Sequence, residues 1–313
     1  VVSFPSGTAF AEEITDLVGS EKQLTVATFN VLNLDPKRED IEKVDNRSRR
    51  NVDDDVADGQ FAGIAGAIVT NLRSPDIIAL QEVQDNDGAE MTTVVDARET
   101  GKTLIEAIAS AGGPRYIYRD ISPRDDSDGG QDGGNIRVAY LYNPDRVKLN
   151  RLTRFPDDVA FRNSRKPLVG QFTFQNIRLI VINNHLTSQI GGASADRRRE
   201  KQAVLVNRFV TDRLAGDRNA NIIVLGDFND VPDSPTLRAI EGSVLQNLAA
   251  RIPEDDRYSY IFDDDRQLID QILVSSNLAT KTRPEADAVH VNAGRKNAPS
   301  DHDPVIARFT IEE

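Results

Sequence analysis

Short apolar runs that stop on a polar side chain recur along this chain, and they constrain its fold more than any other feature. Ile77-Ile78-Ala79-Leu80 runs into Gln81-Glu82, and Ile222-Ile223-Val224-Leu225 runs into Gly226-Asp227-Phe228-Asn229. Leu24 to Phe29 alternates and is rich in β-branched residues before it meets Asn30. Leu179 to Ile182, expected to form a hairpin with Gln171 to Phe174, delivers Asn183-Asn184-His185. Runs this short, bounded in this way, read as strands. Leu268 to Val274 reads as another, interrupted by Asp270, and Arg137 to Tyr142 and the residues after Pro304 read as two more.

Helical periodicity fills the gaps. Phe61, Ile64, Ala65, Ile68 and Leu72 keep a 3.6-residue spacing, and Ser74-Pro75 stops that helix. Leu104, Ile105 and Ile108 mark a second, closed by Gly112-Gly113-Pro114. Ser194 is placed to cap a long helix carrying Val206, Phe209, Val210 and Leu214. Ser234-Pro235 supplies a cap residue and then proline at the first helical position. A short helix from Ala11 to Val18 is expected within an irregular lead-in over residues 1–23. The stretch Asp35 to Asp58 reads as a charged loop with Asp53-Asp54-Asp55 in water. Asp125 to Gly134 reads as a mobile surface loop; it could ligate Ca²⁺ but lacks the spacing of an EF-hand loop. Strands and helices interleave and no 20- to 50-residue repeat is visible, so the class is α/β or α+β, with residues 24–313 as one domain.

Composition removes whole chemistries. Cysteine is absent, which excludes disulfides, thiolate metal sites and cysteine nucleophiles. No apolar run approaches the roughly 18 residues that cross a bilayer. The net charge of −12 argues against a protein that holds nucleic acid only by neutralising its phosphates. It argues less against a metal-dependent enzyme, whose bound cation supplies positive charge inside a carboxylate-lined site. The first residue is Val1 rather than Met, which fits a processed or trimmed chain.

The polar strand ends share one chemistry. Asn30, Glu82, His185, Asp227, Asn229, Asp270 and Asp301-His302 each lie in, or at the end of, an apolar segment. Sheets bring neighbouring strand ends together, so these residues can meet on one rim. Taken singly, each has a structural explanation: a turn asparagine, a solvated strand end, a core histidine, an Asx-turn. Asp270 resists that explanation most, because a carboxylate inside an apolar run is costly to bury without a partner. Together, carboxylate and amide oxygens suit Mg²⁺ or Mn²⁺, and imidazole supplies a proton acceptor. Phosphoryl transfer needs both.

At this point the chain resembles the endonuclease/exonuclease/phosphatase superfamily, the group with the DNase-I-like fold. Thr28-Phe29-Asn30, Leu80-Gln81-Glu82, Asn184-His185-Leu186-Thr187-Ser188, Gly226-Asp227-Phe228-Asn229, Leu268-Ile269-Asp270 and Ser300-Asp301-His302-Asp303-Pro304 occur in family order from Leu24 to Phe309. Ile136-Arg137-Val138, Tyr142-Asn143-Pro144, Asn163 to Pro167, Tyr258 to Asp263 and His290 to Ala293 are similar to the secreted bacterial nuclease branch. The sequence departs from many relatives at Gln271, after the aspartate, and at Thr187-Ser188-Gln189, after the middle histidine; these departures bear on substrate choice.

The resemblance implies a four-layer α/β/β/α sandwich with two mixed β-sheets face to face, and one composite site at the sheet rim. It implies that Glu82, with Asn30 and Asp301, holds Mg²⁺, with Mn²⁺ able to substitute, Asp227 also meeting metal and Ca²⁺ as a possible additional ion. His302 would take a proton from the attacking water while Asp270 orients its ring. Asp227 and Asn229 would position the water or contact phosphate, and His185 would hydrogen-bond the phosphoryl oxygen or assist the leaving group. Arg137 is a candidate phosphate clamp, because a guanidinium can bind two oxygens at once. The expected protein is then a secreted or periplasmic, monomeric nuclease on DNA and/or RNA. A phosphatase or phosphodiesterase on inositol phosphates, nucleotides or phospholipid head groups is the alternative, and a non-catalytic binding module on the same fold a remote third.

Overall fold

Two six-stranded mixed sheets lie face to face in the computed structural model, which describes residues 13–49 and 52–311. The first sheet runs β13 (Glu285–Ala288), β14 (Val305–Thr310), β1 (Gln23–Leu34), β2 (Ile77–Val83), β4 (Arg137–Tyr142) and β3 (Ile117–Arg119). The second runs β5 (Val147–Arg154), β6 (Leu168–Phe174), β7 (Ile177–His185), β8 (Asn221–Asp227), β12 (Asp270–Ser275) and β9 (Leu245–Asn247). The β1–β2 and β7–β8 pairs are parallel and the other pairs antiparallel. A separate hairpin, β10 (Tyr260–Phe262) and β11 (Asp265–Gln267), stands apart from both sheets.

Three apolar layers follow from strand alternation. Val26, Ile77, Ala79, Phe172, Val181, Ile223, Leu225 and Ile272 fill the space between the sheets. The opposite faces of the first sheet, through Ala27, Phe29, Ile78 and Leu80, pack on α1 (Gln60–Gly66) and α2 (Arg98–Ser110). The outer face of the second packs Ile182, Ile222 and Val224 against α3 (Ala193–Gly216) and α4 (Pro235–Glu241). A fifth helix, α5 (Ser276–Thr282), follows β12. This is the expected four-layer α/β/β/α sandwich.

Several local expectations change. Of the helix expected over 11–18, the first two residues lie outside the described set. Glu13 to Val18 is not helical: the Thr15 amide donates to the Asn71 carbonyl and its hydroxyl to Asp287, so tertiary bonds replace a helical ladder. Ser194 does not cap α3; Gly192 precedes the first turn. Asp270 does not interrupt its strand but opens it. Asp55 is buried rather than in water and accepts from the Asp35 amide at 2.9 Å. In the Gly-rich loop, Asp128 is buried between Lys166 and Arg154. Burial of a carboxylate against two cations gives that loop an anchor its composition does not show.

Candidate active site

Strand register brings most of the expected residues together. On the second sheet His185 pairs with Asp227 across β7–β8, and Asp270 pairs with Asp227 across β12–β8. Asn30 on β1 and Glu82 on β2 arrive from the facing sheet. The turn before β14 supplies Asp301 and His302, and it is tied to β1: the Ser300 hydroxyl donates to the Asn30 carbonyl at 2.7 Å and accepts from the His302 amide at 3.1 Å. Asp303 is the turn's anchor. It accepts from the Val291, Asn292 and Ala293 amides and pairs with His290 Nδ1 at 3.0 Å.

Two linked clusters result. In the first, Asn30 Nδ2 donates to Glu82 Oε1 and to Asp227 Oδ2, both at 3.1 Å. His185 Nε2 lies 3.4 Å from the same Asp227 oxygen and 3.7 Å from Glu82 Oε1. Asp227 Oδ1 accepts from the Asn229 amide at 2.8 Å. In the second, His302 Nδ1 is 2.6 Å from Asp270 Oδ2, which also accepts from the Ser259 hydroxyl at 2.8 Å. His302 Nε2 lies 3.9 Å from Asp301 Oδ1, whose side chain is half exposed. Asp227 joins both clusters, since one ligand atom each of Glu82, His185 and Asp227, and of Asp227, Asp270 and His302, lie within 4.8 Å of one another.

The charges are far from ordinary solution values. Burial, and then the neighbouring Asp270, push the Asp227 carboxyl up to about 7. Burial likewise raises Glu82, against the opposing pull of His302. Burial holds His185 well below the usual imidazole range, with Arg165 and His302 adding to the effect, so it is a neutral ring. Burial alone would also lower His302, but Asp270, through its charge and its hydrogen bond, raises it well above that range.

These residues fit a hard divalent cation. Glu82, partly buried, and Asp227, buried, are carboxylates pushed toward protonation, the state that a cation would reverse. Asp270 Oδ1 is buried without a hydrogen-bond partner among the described residues. The donor set of carboxylate, amide and imidazole is oxygen-rich, as Mg²⁺ and Mn²⁺ require.

Arg137 is not among them. Its guanidinium is buried and donates to the Val95 and Asn135 carbonyls and to Asp120 at 3.2 Å, so it staples loops together. A buried arginine close to the carboxylates is Arg165 instead: it interacts electrostatically with Glu82 and Asp227 and donates to the Leu186 carbonyl at 2.8 Å. Tyr260 is a second residue that sequence reasoning did not single out; its ring lies 4.9 Å from that of His302. Both lie in segments that carry the resemblance, Asn163 to Pro167 and Tyr258 to Asp263, and only the fold turns those segments toward the site.

Known proteins share this fold. The profile of the Endonuclease/Exonuclease/phosphatase family matches residues 25–294. The chain belongs to this family. The family is one of phosphoesterases, and its members typically depend on divalent metals. Among solved structures, a family protein from Bacteroides thetaiotaomicron superposes with a TM-score of 0.61 at 20% identity, covering 93% of this chain and 95% of that one. A mannosyl-6-phosphatase from the same organism gives 0.57 at 19% identity, covering 91% and 98%. TDP2 from D. rerio, complexed with a single-strand DNA product, gives 0.58 at 18% identity, covering 92% and 99%. At these identities the three show a shared fold. No curated protein sequence matches the chain.

Proposed function

We propose that this protein is a divalent-cation-dependent phosphodiester hydrolase that cleaves DNA and/or RNA. The observation that carries the proposal is the His302–Asp270 pair at 2.6 Å, set beside the Glu82–Asn30–Asp227–His185 cluster. Family membership supports the hydrolytic class, and the likeness to a DNA-bound TDP2 supports a nucleic-acid substrate. The resemblance to secreted nucleases in the segments around Arg137 and His290 supports an exported protein.

Glu82, Asn30, Asp301 and Asp227 would hold Mg²⁺ or Mn²⁺. When bound, the ion supplies charge that neutralises the phosphoryl and leaving oxygens and offsets the field that keeps His302 protonated. The chain does the rest. Asp270 fixes the His302 ring through Nδ1 and leaves Nε2, on the side of the half-exposed Asp301, to accept a proton from water. Asp227, which accepts from the Asn229 amide, orients that water together with Asn229. His185, neutral and buried, donates a hydrogen bond from Nε2 to a phosphoryl oxygen. Arg165 balances part of the carboxylate charge beside it.

A second reading has support of its own. A net charge of −12 and the likeness to a mannosyl-6-phosphatase favour a small phosphate ester as substrate. One panel separates the readings: supercoiled plasmid, a chromogenic phosphodiester and a phosphomonoester, each with Mg²⁺, Mn²⁺, Ca²⁺ or EDTA. Nicking that EDTA abolishes supports the nuclease. Turnover of small esters without nicking replaces it with the second reading, and silence throughout points to a non-catalytic module.

A further inference from the structure

Glu82 reaches the site only because its strand breaks alternation. Ile77 and Ala79 of β2 face the opposing sheet, while Ile78 and Leu80 face the helices. Continued alternation would send residue 82 to the helical side, away from His185 and Asp227. The register shows what intervenes. Leu80 pairs with Ala139 and Val83 with Arg137, so β2 spends one residue more than β4 over this stretch. Glu82 is the bulged residue, with φ of 58°, and Val83 returns to the helical side. A left-handed backbone is unfavourable for a residue with a Cβ, so this bulge needs support.

Support comes from across the sandwich. Asn183 on β7 donates through Nδ2 to the Leu80 carbonyl at 3.0 Å and to the Ala139 carbonyl at 2.9 Å. These are the two residues paired at the bulge's edge. Asn183 Oδ1 accepts from Gln81 Nε2 at 2.8 Å, and Gln81 Oε1 accepts from the Thr28 hydroxyl at 3.1 Å. Both amides are fully buried among apolar neighbours, where an unmet donor would be expensive. Gln81 adjoins Glu82 in sequence, and Asn183 sits two residues before His185 on the same strand face. Two hydrogen bonds through Asn183 therefore couple the strand bearing the carboxylate to the strand bearing the imidazole.

We propose that Asn183 and Gln81 are positioning residues that lock the β2 bulge and so hold Glu82 against His185 and Asp227. The proposal rests on the reading of Glu82 as a cation ligand. The test is Mn²⁺ binding by calorimetry, with amide exchange at residues 81–83, on the whole chain and on Asn183→Leu, which keeps the number and branching of heavy atoms and removes both donor and acceptor. Asn183→Leu should bind Mn²⁺ at least about tenfold more weakly, as loss of a supporting partner to a metal ligand does, and exchange faster at 81–83. Ile240→Val, in the distant core under α4, should leave Mn²⁺ affinity within about twofold, which separates positioning from general loss of stability. The swap Gln81→Asn with Asn183→Gln keeps two amides of the same combined length and should recover part of the affinity. Should Asn183→Leu fail to fold, Gln81→Met carries the same test. Unchanged Mn²⁺ affinity in these variants overturns the positioning role alone. Absence of Mn²⁺ binding by the parent protein overturns the reading of the site, and the positioning role with it.

Discussion

His302 Nδ1 lies 2.6 Å from Asp270 Oδ2, and both side chains are almost wholly removed from water. Asp270 stabilises the protonated ring and also fixes which nitrogen faces the rim. Asp270→Asn keeps the shape and removes the charge. It should lower turnover of a phosphodiester by roughly 10²- to 10⁴-fold, with far-UV circular dichroism unchanged. It should also move the His302 titration, followed by NMR, toward lower pH. A turnover loss of less than about tenfold contradicts the orienting role.

Glu82 separates folding from cation binding. Its carboxyl is raised chiefly by burial, so in EDTA at neutral pH the charged form opposes the fold. Glu82→Gln should therefore unfold in EDTA no lower than the parent, and up to about 2 °C higher. The same variant should lose most of the thermal shift that Mg²⁺ gives the parent. An undiminished Mg²⁺ shift rejects Glu82 as a ligand.

Arg137 and Arg165 make a matched comparison. Arg137→Met breaks a largely buried pair with Asp120 and two further donations, so it should cost about 3–5 kcal/mol by urea unfolding. Turnover per folded molecule should stay within about threefold of the parent. Arg165→Met removes one cationic neighbour of Glu82 and Asp227 and should lower turnover per folded molecule by tenfold or more. Equal turnover losses in the two variants would show that the assignment is wrong.

What the sequence reveals and hides has a physical pattern. Asp227 and His185 are legible because each ends an apolar run and Asp270 because it stands within one, and strand register then places them opposite one another. Asp303 is legible as a turn former, and it does hold the turn by accepting three backbone amides. Glu82 is legible as a strand end, but its direction is not, because alternation points it the wrong way and only the bulge corrects it. Arg137 at a strand start looks available for phosphate; its partners Val95 and Asp120 lie 42 and 17 residues away in sequence. Asp55 looks solvated for the same reason: its burial depends on Asp35, 20 residues earlier.

That acidic loop has a signature of its own in pH. Asp35 is pushed up to about 9, by burial first and then Glu39, and Asp55 to about 8, by burial and by neighbouring carboxylates. Folded values above the unfolded 3.8 mean that the fold holds protons the unfolded chain releases. The stabilisation is complete below about pH 4 and is lost as pH rises toward about 9. Asp35→Asn should match the parent near pH 4 in EDTA and gain on it by roughly 1 kcal/mol per pH unit above that. A difference that stays flat with pH contradicts the burial of Asp35 as a carboxyl group.

The central claim is that His302 moves a proton in cation-dependent hydrolysis of a phosphodiester. The most direct test is single-turnover cleavage of a labelled DNA duplex by the parent chain and by His302→Ala, with Mg²⁺ and with EDTA. We expect cleavage by the parent only with Mg²⁺, and a rate for His302→Ala lower by roughly 10³-fold or more at unchanged stability. Cleavage by His302→Ala within about tenfold of the parent, or parental cleavage that survives EDTA, would contradict it.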